Sequence, residues 1–127
     1  LNRLLGVRVI GIDIIEEYIE RAERIRRRMD SEDVVFVCSD LLEVNYSDAD
    51  ALYIFGTCLP DEVIVKMIDV FRRDLMPGTK IITVSYPLTH YCEDEFFALV
   101  DSFEVKFLWG KSIVHVQIVQ GAAAEGI

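Results

Sequence analysis

The 127-residue sequence is short of several things, and each shortage excludes a class of protein. Its three cysteines, Cys38, Cys58 and Cys92, are odd in number, widely spaced and in no C-x-x-C pair. A disulfide framework or a cysteine–histidine zinc site needs closer partners, so neither is expected and no metal is assigned. Reduced thiols fit a cytoplasmic, reducing setting. No apolar run approaches the ~20 residues of a membrane-spanning helix, so no membrane partner is expected. Positive charge is scarce: 13 Lys and Arg face 22 Asp and Glu, a net charge of −9. A general nucleic-acid binder needs a net basic surface to displace counterions, and that class is excluded.

What remains is globular, at 52% hydrophobic and 28% charged residues. A chain of this size buries about two thirds of its unfolded surface and holds a core without metal or disulfides. One domain over residues 1–120 is expected, with 121–127 as a frayed tail. The chain opens on Leu1 and runs almost at once into a strand, so a natural start further upstream is expected.

The pattern along the chain alternates strands and helices. Val7–Ile12 is a β-branched strand with Asp13 at its carboxyl end. Ile15–Met29 is an amphipathic helix with Tyr18, Ile19, Ala22 and Ile25 on one stripe. Glu17/Arg21, Glu20/Arg24 and Glu23/Arg27 are spaced as i,i+4 ion pairs. The Arg26–Arg28 run reads as a solvated last turn favoured by the helix dipole, in preference to a phosphate patch. Val34–Cys38 and Ala51–Phe55 are further strands. Pro60 suits the first position of a helix whose apolar face is Ile64, Met67, Ile68, Phe71 and Leu75. Lys80–Ser85 is a strand broken at Pro87, and Glu93–Val100 reads as a short helix. Phe103–Trp109 and Ser112–Val119 read as strands joined at Gly110-Lys111. This order implies an α/β fold with an open, mostly parallel sheet and a C-terminal antiparallel hairpin.

Ligands of such sheets bind beyond the carboxyl ends of the strands. That rim carries Asp13, Asp40, Phe55–Cys58 and Ser85–Pro87. A carboxylate at the position of Asp13 can accept both ribose hydroxyls, or can simply cap the following helix. Asp40 can accept an adenine amino proton, or can order a turn. Gly56 allows close backbone approach, with Thr57 and Cys58 beside it. Cys58 as a nucleophile is disfavoured against a buried, inert thiol. His90 follows the Ser85-Tyr86-Pro87 strand end and can border a substrate, whereas His115 reads as a surface or helix-covered residue.

The segments VIGIDIIEEYIERA (Val9–Ala22), VFVCSDLLEV (Val35–Val44), DADALYIFGTC (Asp48–Cys58) and LMPGTKIITVSYPL (Leu75–Leu88), with the closing WGKS hairpin, resemble a class I S-adenosylmethionine-dependent methyltransferase. In detail the progression is similar to Dot1-type histone lysine methyltransferases and related mitochondrial protein-lysine enzymes. The resemblance implies a Rossmann-like fold and S-adenosyl-L-methionine as cofactor. It implies that Asp13 binds the ribose, Ile14 lies beside the adenine, and Asp40 and Leu41 hold the adenine edge. Phe55, Gly56 and Thr57 would meet the methionine moiety and the substrate, and Tyr86, Pro87 and His90 would border a methyl acceptor, with protein lysine as the candidate. No general base is assigned. The family's glycine-rich turn and the strand before it have no counterpart, so the expectation is a sheet without its first strand, with either a gap between Val7–Ile12 and Ala51–Phe55 or a direct pairing of those two strands. The alternatives are a degenerate, non-catalytic interaction module and an NAD-type nucleotide-binding domain, which places an acid at the same strand end.

Overall fold

The computed structural model describes residues 6–30, 33–55 and 59–121. The chain divides into two units, Leu1–Val44 and Asn45–Ile127.

In the first unit, β1 (Val9–Asp13) pairs in parallel with β2 (Val34–Cys38), with Asp13 opposite Cys38. Helix α1 (Glu16–Met29) connects them. Glu16 and Glu17 in its first turn and Arg26–Arg28 in its last turn complement the helix dipole. Asp30, with φ 50°, closes it in the left-handed conformation. In place of the expected i,i+4 pairs, the ion pair observed on α1 joins Arg26 to Glu23 at 2.9 Å, one residue closer. The apolar stripe stays partly open, with Tyr18 and Ile25 more than half exposed. Gly11 lies opposite Phe36, and a Cβ added there would stand 2.7 Å from the ring carbon Cδ1. The missing side chain is therefore the space that the ring occupies.

In the second unit, β3 (Ala51–Ile54) runs parallel to β4 (Lys80–Val84). The antiparallel pair β5 (Phe97–Phe107) and β6 (Gly110–Val119) completes a sheet in the order β3-β4-β6-β5. Helix α2 (Asp61–Asp74) buries Ile64, Met67, Ile68 and Phe71, as its periodicity predicts. The core continues through Ile81, Val84, Leu88, Phe96, Phe97, Val114 and Val119. Tyr46 packs edge-on against Phe71 at 5.3 Å. The adjoining Asp74 carboxylate is buried, accepting from the Tyr46 amide at 3.1 Å and from Arg73 at 2.7 Å. Among the described residues β1 is paired only with β2, and β3 only with β4.

Three sequence expectations are corrected. Residues 93–100 form no helix: β5 starts at Phe97 and pairs with β6 along its length, with an irregularity between Leu99 and Asp101. The adjacent apolar pair Leu99-Val100, which mimics a helical stripe, marks that bulge. The hairpin turns at Leu108-Trp109, and Gly110, with φ 140°, already pairs with Phe107. Pro60 precedes the helix as its extended N-cap, with ψ 152°.

Candidate functional site

In the first unit the parallel pairing of β1 with β2 brings the strand ends together. Asp13 closes β1, and Ser39 and Asp40 follow β2, with the Ser39 amide donating to the Asp13 carbonyl at 3.0 Å. Asp13 Oδ1 accepts from the Ile15 amide at 2.9 Å, and Asp40 Oδ1 accepts from the Leu42 amide at 2.9 Å. These Asx turns do two things. They fix each carboxylate at its strand end, and they engage one oxygen while the other takes no further bond among the described residues. Asp13 therefore acts two residues ahead of the helix cap, because the N-cap position is Ile15 and its side chain caps nothing. The Ile14 side chain beside Asp13 is 65% exposed, and Leu41 is half-buried next to Asp40. Asp13, Ile14, Asp40 and Leu41 thus share one rim.

In the second unit, Phe55 follows β3 and is 45% exposed. Gly56, Thr57 and Cys58 lie outside the described residues. Beyond β4 the chain turns sharply at Ser85, which holds φ 77°, a conformation uncommon outside glycine. Three contacts stabilise that turn. The Ser85 amide donates to the Ile113 carbonyl at 2.8 Å, the Ser85 and Ser112 hydroxyls meet at 2.7 Å, and Thr83 Oγ1 donates to the Tyr86 carbonyl at 2.6 Å. Pro87 and Leu88 are then buried, and the short helix Leu88–Tyr91 leaves His90 exposed. Tyr86 packs edge-on to Tyr91 at 5.9 Å, and the Tyr91 hydroxyl donates to Asp61 at 3.0 Å. Burial raises both phenol pKa values, so both stay protonated near neutrality.

Gln117 ties this turn to the sheet and escaped the sequence reading. Its side chain is fully buried. Oε1 accepts from the Leu88 amide at 2.6 Å, while Nε2 donates to the Ile81 carbonyl at 2.9 Å and to the His115 carbonyl at 3.0 Å. Gln117, with His115, interrupts the apolar run of β6, and that signal is ambiguous because strand alternation alone reads both as solvent-facing. His115 is half-buried, with Nδ1 2.7 Å from the Ser102 hydroxyl. Burial, then the neighbouring His90, lowers its pKa. Cys92 is equally quiet, its thiol pushed up by burial. No cluster of metal-ligating side chains occurs among the described residues, and no helix there is long and apolar enough to cross a membrane.

The parallel βαβ unit and the parallel and antiparallel pairings make an α/β, Rossmann-like fold. Solved structures of that fold include an RNA methyltransferase from Salinibacter ruber in complex with S-adenosyl-L-homocysteine, at 22% identity and TM-score 0.73 over 98% of this chain and 73% of that one. The magnesium protoporphyrin IX methyltransferase from Synechocystis PCC 6803 with bound SAM matches at 15% identity and TM-score 0.74, over 92% of this chain and 62% of that one. The N-methyltransferase NodS from Bradyrhizobium japonicum WM9 matches at 15% identity and TM-score 0.67, over 89% and 74%. No family model and no curated protein matches the chain. At these identities the likeness establishes the fold.

Proposed function

We propose that the chain is part of an S-adenosylmethionine-dependent methyltransferase. The observation that carries this reading is the pair of carboxylates, Asp13 and Asp40, at the ends of adjacent parallel strands, each anchored through one oxygen by a local amide. The solved relatives that hold S-adenosylhomocysteine or S-adenosylmethionine support it. The residues of the first unit fit the adenosine half of that cofactor. Asp13 accepts the ribose hydroxyls, Ile14 offers an apolar surface to the adenine, and Asp40 with Leu41 takes the adenine edge. The bound cofactor supplies a sulfonium-activated methyl group, and the protein supplies orientation. By the sequence resemblance, Phe55, Gly56 and Thr57 would meet the methionine moiety, and Tyr86, Pro87 and His90 would border the acceptor.

The acceptor in this reading is a protein lysine. Its support is the sequence resemblance to protein-lysine enzymes, while the solved relatives named above are an RNA, a porphyrin and an N-methyltransferase. The amine must be neutral to attack, so the ammonium first gives its proton to solvent or to an acceptor on the rim. The free thiols of Cys38 and Cys92 support a cytoplasmic setting.

Calorimetric titration of the intact protein with S-adenosylmethionine tests the reading. Saturable binding is expected, weakened at least about tenfold in Asp13→Asn and in Asp40→Asn, since each loses charge-assisted hydrogen bonds of about 1.5–3 kcal/mol. A folded protein that binds no S-adenosylmethionine, or that prefers NAD, refutes it.

A further inference from the structure

Among the described residues β5 is the outer strand of its sheet, with β6 on one side and an open edge on the other. An open strand edge is a template for another strand, and proteins guard it with proline, bulges or charge. Residues 97–107 contain no proline. The irregularity between Leu99 and Asp101 bends the strand there and leaves 101–107 regular. Rings brace the far end: Phe107 stacks on Trp109 at 4.8 Å and 9°, and Phe55 meets Trp109 edge-on at 5.3 Å. The remaining guard is charge, and it is of mixed sign, with the exposed Glu104 and Lys106 at alternate positions.

The hydrogen bonds of the sheet decide which backbone groups this edge offers. The Ser85 amide donates to the Ile113 carbonyl at 2.8 Å, so Ile113 turns its backbone toward β4 and away from β5. Glu104, opposite Ile113, therefore turns its own N–H and C=O outward, and Ser102 and Lys106 do the same. A second copy laid antiparallel along the edge must set outward-turned residues opposite one another. Centring the pair on Glu104 or on Lys106 brings like charges face to face, which is destabilising. Centring it further along in either direction leaves Lys106 opposite no acid. The register centred on Val105 sets Glu104 opposite the second copy's Lys106, and symmetry repeats the pair. It also sets Phe103, 45% exposed, opposite the second copy's Phe107.

Lys106 lacks such a partner within its own chain. It stands directly across the hairpin from Lys111, and Lys111 is the base that Glu104 meets, at 3.5 Å. A carboxylate arriving from the open side relieves that opposition of two ammonium groups. We propose that β5 is the interface of a two-fold homodimer, in which two copies pair antiparallel about Val105 and their sheets become continuous. Main-chain hydrogen bonds at Glu104 and Lys106 hold the pair, and the charge pattern selects the register. This interface does not depend on the methyltransferase reading.

Sedimentation velocity of the full chain tests it, at about 0.15 M salt so that the −9 charges of the two copies are screened beyond ~8 Å. Reversible, concentration-dependent dimers are expected. Glu104→Lys and Lys106→Glu each set like charges opposite twice, and each alone should weaken the dimer at least about fourfold. An equimolar mixture of the two variants should recover it, because one copy then presents two bases and the other two acids. Val105→Cys puts a thiol at the two-fold, where the Cα atoms of such a pair stand about 4.5 Å apart. Mild oxidation should link that variant into a dimer that the wild-type cysteines do not form. Circular dichroism checks that the variants keep the fold. A chain that stays monomeric to about 0.5 mM overturns the proposal and leaves the edge to a strand of another protein. So does a dimer that neither charge reversal weakens, since its contact then lies elsewhere. Loss in both variants without recovery in the mixture refutes the pairing about Val105.

Discussion

The two units of the chain divide their physical duties unequally. Every buried hydrophobic side chain among the described residues lies at Tyr46 or beyond, around α2 and the four-stranded sheet. In the first unit neither α1 nor β1 nor β2 buries a residue fully, and Ile10, Val35 and Ile25 remain substantially exposed. Yet the first unit carries the proposed cofactor residues, the anchored pair Asp13 and Asp40. Segments that bind ligands are drawn from the less stable parts of a fold, and the proposed rim sits on the part with the least burial of its own.

The largest expected difference comes from deleting a side chain in each unit. Phe71→Ala should destabilise the second unit by about 3–5 kcal/mol, because a fully buried ring leaves both lost transfer energy and a cavity. Ile25→Ala, on the 57% exposed side of α1, should cost no more than about 0.5 kcal/mol. Urea unfolding followed by hydrogen exchange of the β1 and β4 amides reads both. Equal losses, or equal protection of the two strands, would erase the contrast.

Next in size is Gln117→Leu. It fits the volume but orphans the Leu88 amide, at about 1–3 kcal/mol for a buried group left without a partner. The loss should appear in the second unit, with faster exchange at Leu88 and unchanged exchange in α1. A stable Gln117→Leu protein with an intact Leu88 amide would mean that the turn after β4 holds without the sheet's help.

The smallest effect is with pH, and its sign follows from the protons each state binds. Burial keeps the folded His115 pKa below its ordinary 6.5, so on acidification the unfolded chain takes up that proton first. Stability should therefore begin to fall below about pH 6.5 and stop falling on this account once the folded His115 also titrates. Asp74, held down chiefly by Arg73, and Asp94, held down chiefly by Arg72, act lower. Their contribution is complete above about pH 4 and is lost as pH falls through their folded values. Melting temperatures from pH 8 to pH 3 should show both steps, with His115→Gln removing the upper one. Persistence of the upper step in that variant would assign it elsewhere.

Much of this was legible in the residues. The β-branched runs gave β2, β3 and β4 to within a residue and β1 with its start two residues early, and the periodicity of Ile64, Met67, Ile68 and Phe71 gave the buried face of α2. Asp13, Ile14, Asp40 and Leu41 do gather on one rim, because parallel strands place their carboxyl ends side by side. The failures have local causes. Phe96, Leu99 and Val100 imitate a helix only because a bulge puts two apolar residues in succession. Trp109 reads as strand, although it occupies the turn. Gln117 was invisible, since nothing in a strand's alternation says that both of its faces are covered. The cluster of Phe55 with Phe107 and Trp109 joins residues more than fifty positions apart, which only the sheet can bring together.

Gly11 has a consequence for anyone who would engineer this protein. A glycine inside a strand invites replacement by valine or isoleucine, since it weakens the strand by roughly 0.5–1 kcal/mol relative to alanine. Here the repair would do harm. A side chain at position 11 would evict the Phe36 ring from its seat, in the half of the molecule with the least burial to spare. The glycine in VIGID is a keyhole cut for an aromatic neighbour, and a stabilising redesign would have to begin at Phe36 instead.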